Sequence, residues 1–506
     1  MRIYSVLRMT TTISVVFWSI LIGSSWSAEP LKFPPDFMFG AASSAYQVEG
    51  AWNVSDKGIS IWDTLVRNIP EAVVDRSNGD VACDSYRLWR RDIEMCEEMG
   101  LNMYRFSISW PRLLPSGFPN YISEDGKNYY NNLINGLLEK GIQPLVTIYH
   151  FDLPQSLQDL GGWANPLVAD WFADYAAVVF SLFADRVKYW ITINEPIGVC
   201  DSSYYKFYAP YLNDTKIAPY LCNKYVLIAH AKAYRHYEEY YKPKYNGKLS
   251  VSTLFFWFEP ITPEDQEATD LTIDLWEGRY AYPIFSKTGG WPKKLEKILN
   301  DNAKREGYRY PRLPPFTPEE IELVRGTYDF YGLNHYTTRL VRRVQPGEKA
   351  GQWFFYGSEE LNTIMTNDPS WPTTIFWFSV YAQGFRRQLE WLNRTYDVKE
   401  IIITENGLPL TVGGLADTMR MEFYRDYLEQ VLLAINDGIK ITGYTAWTLM
   451  DNFEWLSGYS VKYGLYEVDF TDPNRTRTPR ESARYFAKVA RSRMINPNDA
   501  TDIHYE

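Results

Sequence analysis

The feature that most constrains this chain is an alternation. Short apolar, β-branched runs recur eight times between longer stretches of helical periodicity. The runs are Phe37–Ala45, Asn102–Trp110, Pro144–His150, Trp190–Asn194, Leu249–Phe256, Phe330–Tyr336, Ile401–Thr404 and Ile441–Thr448. Most are continuously apolar, the pattern of strands buried on both faces of a parallel sheet. Helical patterns between them include Asp84–Met99, Asp125–Lys140, Asn165–Phe183, Cys222–Tyr240, Trp377–Thr395 and Thr418–Asp437. Gly100, Gly141 and Gly438 follow three of these, where a left-handed residue closes a helix. The repeats predict an α/β fold: a single (β/α)8 TIM barrel with extended βα loops. A doubly wound open sheet is the competing arrangement. With no linker, charge block or short-period repeat, the 506 residues read as one barrel enlarged by loop insertions.

The first residues read differently. Arg2 and Arg8 precede an apolar run from Ile13 to Gly23, broken only by Ser14 and Ser19, and Ser25, Trp26 and Ser27 follow. The run is too short for a hydrocarbon core of roughly 30 Å, so a signal peptide over 1–27 fits better than an anchor. Cleavage before Ala28 would leave 28–506 as the barrel domain, with no membrane anchor and a secreted or vesicular location. Asn53, Asn213, Asn393 and Asn474 each begin a glycosylation sequon, in keeping with that route. Four cysteines are too few for a disulfide scaffold. Cys200 and Cys222 bracket a polar, tyrosine-rich loop that suits one bridge, and Cys83 and Cys96 read as buried thiols, although sequence leaves the connectivity open.

The formal charge of −10, nearer −12 without the two leader arginines, offers no basic stripe for phosphates and argues against nucleic acid. The five histidines form no ligand cluster and no paired cysteine motif occurs, so neither a metal nor a cofactor is implied. Aromatic residues make up 16%, which suits either a heavily aromatic core or flat rings stacked on sugar faces.

Barrel enzymes gather their chemistry at the C-terminal ends of the strands. The fourth run ends Thr192-Ile-Asn-Glu-Pro196 and the seventh Thr404-Glu-Asn-Gly407. Each sets a carboxylate where a buried strand meets a loop. Two facing carboxylates are what glycoside hydrolysis needs, one to protonate the leaving oxygen and one to attack the anomeric carbon or activate water. Alone, either glutamate would read as a helix cap or a surface ion pair.

These motifs resemble those of glycoside hydrolase family 1, the β-glucosidase family, and the likeness runs from Phe33 to about Ala490. The segment Phe37–Ala51 (FMFGAASSAYQVEGA) is similar to the family's N-terminal signature, Asn194-Glu195-Pro196 to its acid/base motif and Thr404–Gly407 to its nucleophile motif. The resemblance implies a retaining β-glycosidase that removes terminal β-D-glucosyl residues by double displacement. Glu195 would be the acid/base and Glu405 the nucleophile. It also implies that Gln47, His150, Asn194, Trp447, Glu454 and Trp455 bind the sugar, that Tyr336 hydrogen-bonds the nucleophile, and that Arg105 lies beside it. A cation and hydroxyl donors around Glu405 would lower its pKa, whereas Glu195 needs a neutral setting and a negative neighbour to keep its proton. His335 and Phe151 depart from the family pattern, in which an aromatic residue and Trp are common.

The implied partner is a small-molecule or oligosaccharide β-glycoside, and a homodimer is left open. Glu454 and Val461 speak against a 6-phosphate substrate, which a carboxylate would repel. Plant-type thioglucosidases of the family carry Gln in place of the acid/base, so the resemblance with Glu195 intact favours O-glycosides; a thioglucosidase that keeps both glutamates stays as the alternative, and the presence of both disfavours a receptor-like relative that only binds. The aglycone is expected on the long loops, around Trp371, Phe376, Trp377 and 197–215.

Overall fold

The computed structural model describes residues 32–495, so the predicted signal peptide lies outside the described residues. Eight parallel strands close into a barrel: β1 (Met38–Ala42), β2 (Met103–Ser107), β3 (Gln143–Tyr149), β4 (Tyr189–Asn194), β5 (Lys248–Leu254), β6 (Tyr331–Asn334), β7 (Ile401–Asn406) and β8 (Ile441–Trp447). Every strand pairs with its neighbours in sequence, and β8 closes on β1 with Met38 opposite Gly443 and Ala42 opposite Trp447. All eight predicted strands are present, and the open sheet is excluded.

Helices α1 (Ser85–Glu98), α2 (Glu124–Glu139), α3 (Val168–Phe183), α4 (Ala218–Tyr240), α5 (Pro318–Val324), α6 (Ala382–Tyr396), α7 (Thr418–Asn436) and α8 (Glu481–Ser492) follow the strands in turn. Gly100, Gly141 and Gly438 have φ of +68°, +70° and +91°, so the left-handed closures are formed. One helix differs from expectation. The pattern beginning at Trp377 becomes helical only at Ala382, because Thr373–Ile375 and Phe378–Ser379 pair as a small hairpin that turns Trp377 into the barrel mouth.

The barrel interior is layered. Met103, Leu145, Ile191, Phe330 and Ile402 form a separate apolar plug at its floor, drawn from four strands and the approach to β6. Polar residues stand above them: Arg105, Thr147, Asn194, Ser252, Asn334 and Thr404, all at most 1% exposed. A buried polar layer persists only if it is hydrogen-bonded. Here it is. Ser252 donates to Asn334 Oδ1 (2.9 Å), as does Thr404 (2.7 Å), and Arg105 Nε donates to Thr147 Oγ1 (3.1 Å).

Cys200 and Cys222 form a disulfide, while Cys83 and Cys96 are buried thiols. The bridge ties the segment after β4 to α4. All four sequon asparagines are exposed, with Asn393 in the last turn of α6. Among the described residues no helix is long and apolar enough to cross a membrane. Replacing Cys200 and Cys222 together by serine should cost about 2–4 kcal/mol through lost loop constraint. A urea denaturation series that leaves the midpoint unchanged would show the bridge to be mechanically idle.

Candidate active site

The polar layer opens at the C-terminal face into a cavity walled by His150, Asn194, Glu195, Tyr336, Glu405, Trp447, Glu454 and Trp455, together with a group of aromatic side chains on the loops. Residues far apart in sequence meet here because each stands at the end of its own strand or just beyond it. Register shifts help to aim them. The pairing of β4 with β5 slips between Ile191 and Asn194, and both partners of β7 slip just before Glu405 or Asn406. Bulges of this kind re-aim side chains beside active sites.

Glu405, 3% exposed, is gripped at both oxygens. Arg105 Nη1 donates to Oε1 at 2.5 Å and the Tyr336 hydroxyl donates to Oε2 at 2.5 Å. Arg105 is fully buried and fans out further, with Nη1 donating to the Thr404 carbonyl (2.9 Å) and Nη2 to Asn194 Oδ1 (2.6 Å). The next residues lock the turn. Asn406 donates to the His335 carbonyl (2.7 Å), and a Cβ on Gly407 would lie 1.9 Å from the Trp447 carbonyl oxygen, so only glycine fits.

Glu195 stands in the left-handed region at φ +44° and is 5% exposed. Among the described residues its side chain is hydrogen-bonded by Asn334, whose Nδ2 donates to Oε1 at 2.7 Å. Asn334 is the residue that sequence reasoning missed; its place at the end of the sixth strand, two residues before Tyr336, was the available signal. Asn194 gives its carbonyl to Arg105 and Asn334 and its amide meets His150 Nε2 at 3.1 Å. The neutral group that touches Glu195 is thus Asn334 and not the adjacent Asn194.

Burial raises both carboxylates, and their charges oppose each other. Glu195 is held well above the usual range by burial and by the Glu405 charge. Glu405 is also raised by burial, but Arg105 and Tyr336 pull it back. The expected lowering of Glu405 therefore becomes a restrained rise, because desolvation inside the closed barrel outweighs one guanidinium. The asymmetry survives: Glu195 is the better proton holder. Burial and Glu405 also push Glu454 up to about 8, opposed by Trp447 and Gln47.

Around Glu454, His150 lies nearly parallel to Trp447 (17°) and Trp455 (21°), an aromatic slot suited to a flat ring. Gln47 is brought to this corner but does not line the cavity. Its amide donates to Asn452 Oδ1 (3.0 Å), the Phe453 carbonyl (3.0 Å) and Glu454 Oε2 (3.4 Å). His335 stacks on Phe385 at 4.4 Å and takes the packing role of an aromatic ring. Of the expected aglycone residues, Trp377 and, from 197–215, Tyr208 line the cavity. Trp371 does not; it stacks on Tyr381 at 4.2 Å because the hairpin turns it outward.

A deep cavity holding two unequally protonated carboxylates can run acid–base and nucleophilic chemistry on one substrate. The model of glycosyl hydrolase family 1 matches residues 29–495. The chain belongs to that family. It is 44% identical over 464 residues to Myrosinase 1 of Brevicoryne brassicae, covering 90% of this chain and 98% of that one. It is 40% identical over 474 residues to Beta-glucosidase 42 of Arabidopsis thaliana, covering 90% and 94%. The solved structure of aphid myrosinase matches with a TM-score of 0.87 at 43% identity, covering 92% of this chain and all of that one. This family 1 chain is a glycoside hydrolase, and its acidic pair stands at the ends of β4 and β7.

Arg105→Met should leave Glu405 buried without its cation, at a cost of about 3–5 kcal/mol. Loss of the guanidinium raises the folded-state pKa of Glu405 further. Stability from such a group is present below its unfolded pKa and lost as pH rises through the folded value. The variant should therefore be more destabilised at pH 8 than at pH 5 in urea unfolding. Equal losses at both would assign the effect to packing alone.

Proposed function

We propose that the protein is a retaining β-glucosidase in which Glu405 is the nucleophile and Glu195 the general acid/base. The observation that carries this reading is the unequal support of the two carboxylates. Glu405 is ion-paired and doubly hydrogen-bonded, whereas Glu195 has one amide donor and a negative neighbour.

In the first step the Glu405 carboxylate attacks the anomeric carbon while Glu195 gives its proton to the glycosidic oxygen, and the aglycone leaves as an alcohol. Once Glu405 is esterified its charge is gone, so the Glu195 proton affinity falls and Glu195 becomes a base. It then takes a proton from water, whose oxygen attacks the anomeric carbon and releases Glu405 and the sugar. His150 and Asn194 bind the ring hydroxyls near the 2- and 3-positions. Trp447 lies under the ring, Glu454 and Trp455 serve the 4- and 6-hydroxyls, and Gln47 acts at this corner through its amide contact to Glu454.

The aglycone side favours neutral O-glucosides over the thioglucoside alternative where that aglycone carries an anion. Its walls are Phe151, Tyr208, Phe256, Phe354, Phe355 and Trp377, and no Lys or Arg is among the described lining residues. Phe256 stacks on Trp377 at 5.5 Å and 11°, and Phe355 stacks on the same indole at 5.7 Å. An anion there would face the catalytic carboxylates and Glu454 without a counter-ion. We propose secretion as well, with cleavage of 1–27. The Cys200–Cys222 bridge and the exposed sequons at Asn53, Asn213, Asn393 and Asn474 support it.

A 2-deoxy-2-fluoro glucoside with a good leaving group should label Glu405 and no other residue by peptide mapping. Glu195→Gln should slow alkyl glucosides far more than activated aryl glucosides, with azide restoring part of the turnover; uniform losses without a glycosyl azide product would refute the acid role. In a panel sharing β-glucose, kcat/KM for neutral aryl O-glucosides should exceed that for anionic thioglucosides by about 10-fold or more, about 1.4 kcal/mol of transition-state discrimination. The reverse order would select the thioglucosidase reading.

A further inference from the structure

A second cavity lies beside the catalytic one and has no part in the chemistry above. It encloses about 200 Å³, against about 80 Å³ for the catalytic cavity by the same measure. The partition between them is the segment Trp353-Phe354. Phe354 faces the catalytic cavity and Trp353 the second one, with their rings edge-on at 5.7 Å.

The floor is the buried ion pair of Arg279 and Asp201, 1% and 3% exposed. Its groups are already satisfied. Asp201 Oδ1 accepts from Arg279 Nη2 (2.9 Å) and Trp353 Nε1 (3.0 Å), and Oδ2 from the Tyr280 hydroxyl (2.5 Å). An ionic ligand seated on this floor would have to break that pair to find a counter-charge there, at the cost of leaving a buried charge unpaired. The rim is of mixed sign, with Lys216, Thr215, Glu359 and Glu360, the last paired with Arg312, and the Ser358 hydroxyl is buried below it. The remaining wall is aromatic: Tyr205, Tyr220 and Trp353.

Flat rings combined with neutral and mutually compensated polar groups suit a neutral, polyhydroxylated ring. We propose that this cavity is a second, non-hydrolytic saccharide site that binds one neutral sugar unit. Of its carboxylates, Asp201 is tied to Arg279 and Glu360 to Arg312, so neither is placed as Glu195 is to hold a proton for a leaving group, and the sugar is held and not cleaved. Two sources share this chemistry. One is a soluble saccharide. The other is the chain's own glycan at Asn213, which pairs with Tyr205 in an isolated bridge and lies two residues from Thr215 on the rim.

The test uses full-length Glu405→Gln protein with the catalytic cavity filled by saturating deoxynojirimycin, titrated with cellobiose and with glucose by calorimetry. Saturable binding should persist, and hydrogen exchange should slow in residues 201–220 and 352–360. Gln352 and Glu359 are exposed on the rim, so Gln352→Ala/Glu359→Ala should fold normally and weaken binding about fivefold or more, the equivalent of a lost hydrogen bond or two. Binding that appears only after Asn213→Gln would identify the native occupant as the chain's own glycan. Absence of saturable binding in both glycosylated and Asn213→Gln protein would overturn the proposal. So would protection confined to the catalytic walls, or unaltered affinity in the rim variant. Hydrolysis of cellobiose by Glu405→Gln would instead count against the nucleophile assignment and leave the second site standing on the exchange data.

Discussion

The guanidinium of Arg105 is the point on which the rest of this structure turns. It rises from β2 into the sealed interior of the barrel and spreads its donors over Thr147 on β3, Asn194 on β4, and Thr404 and Glu405 on β7. A cation buried to this degree is tolerable only with a carboxylate and full hydrogen bonding. The fold meets that demand by closing eight strands around it, and in doing so brings Glu405 to a defined position. Charge compensation and catalytic geometry are here the same set of contacts.

That arrangement leaves the interior short of positive charge. Glu195, Glu405 and Glu454 line one cavity, and no other cation stands among its described walls. Excess negative charge in a dry site is relieved by protonation. The proton belongs on the carboxylate with the weakest support, and Asn334 rather than a cation is what Glu195 has. A neutral amide donor steadies the orientation of Glu195 without stabilising its anion strongly. The same scarcity of cations explains why an anionic aglycone is disfavoured.

Structure and specificity occupy different layers. The apolar plug at Met103, Leu145, Ile191, Phe330 and Ile402 and the polar layer above it belong to the barrel. The aromatic walls at Phe256, Phe354, Phe355 and Trp377 belong to the βα connections, as does the second cavity at Asp201, Arg279 and Trp353. Loops can change their lining without disturbing the strands, which is how one barrel supports many substrates. The disulfide at Cys200 and the ion pair at Asp201 sit on the segment that follows Glu195, so this connection is held more firmly than an ordinary surface loop.

Much of this is legible in the amino-acid sequence. Continuous apolar runs separated by helical periods determined eight buried parallel strands, and the polar residues closing the fourth and seventh determined where the carboxylates would stand. The pairing of Arg105 and Tyr336 with Glu405 followed from motif resemblance. What the tertiary structure alone decided are contacts between residues that sequence holds far apart. Asn334 and Glu195 are 139 positions apart, so no local pattern could show that this amide, and not Asn194, meets the acid. The raised pKa of Glu405 depends on how completely the closed barrel excludes water, which residue identity cannot express. The start of α6 at Ala382 was set by a hairpin whose partners compete with helical propensity. The second cavity forms where three βα connections, none distinctive in sequence, fold against one another over the buried Arg279–Asp201 pair.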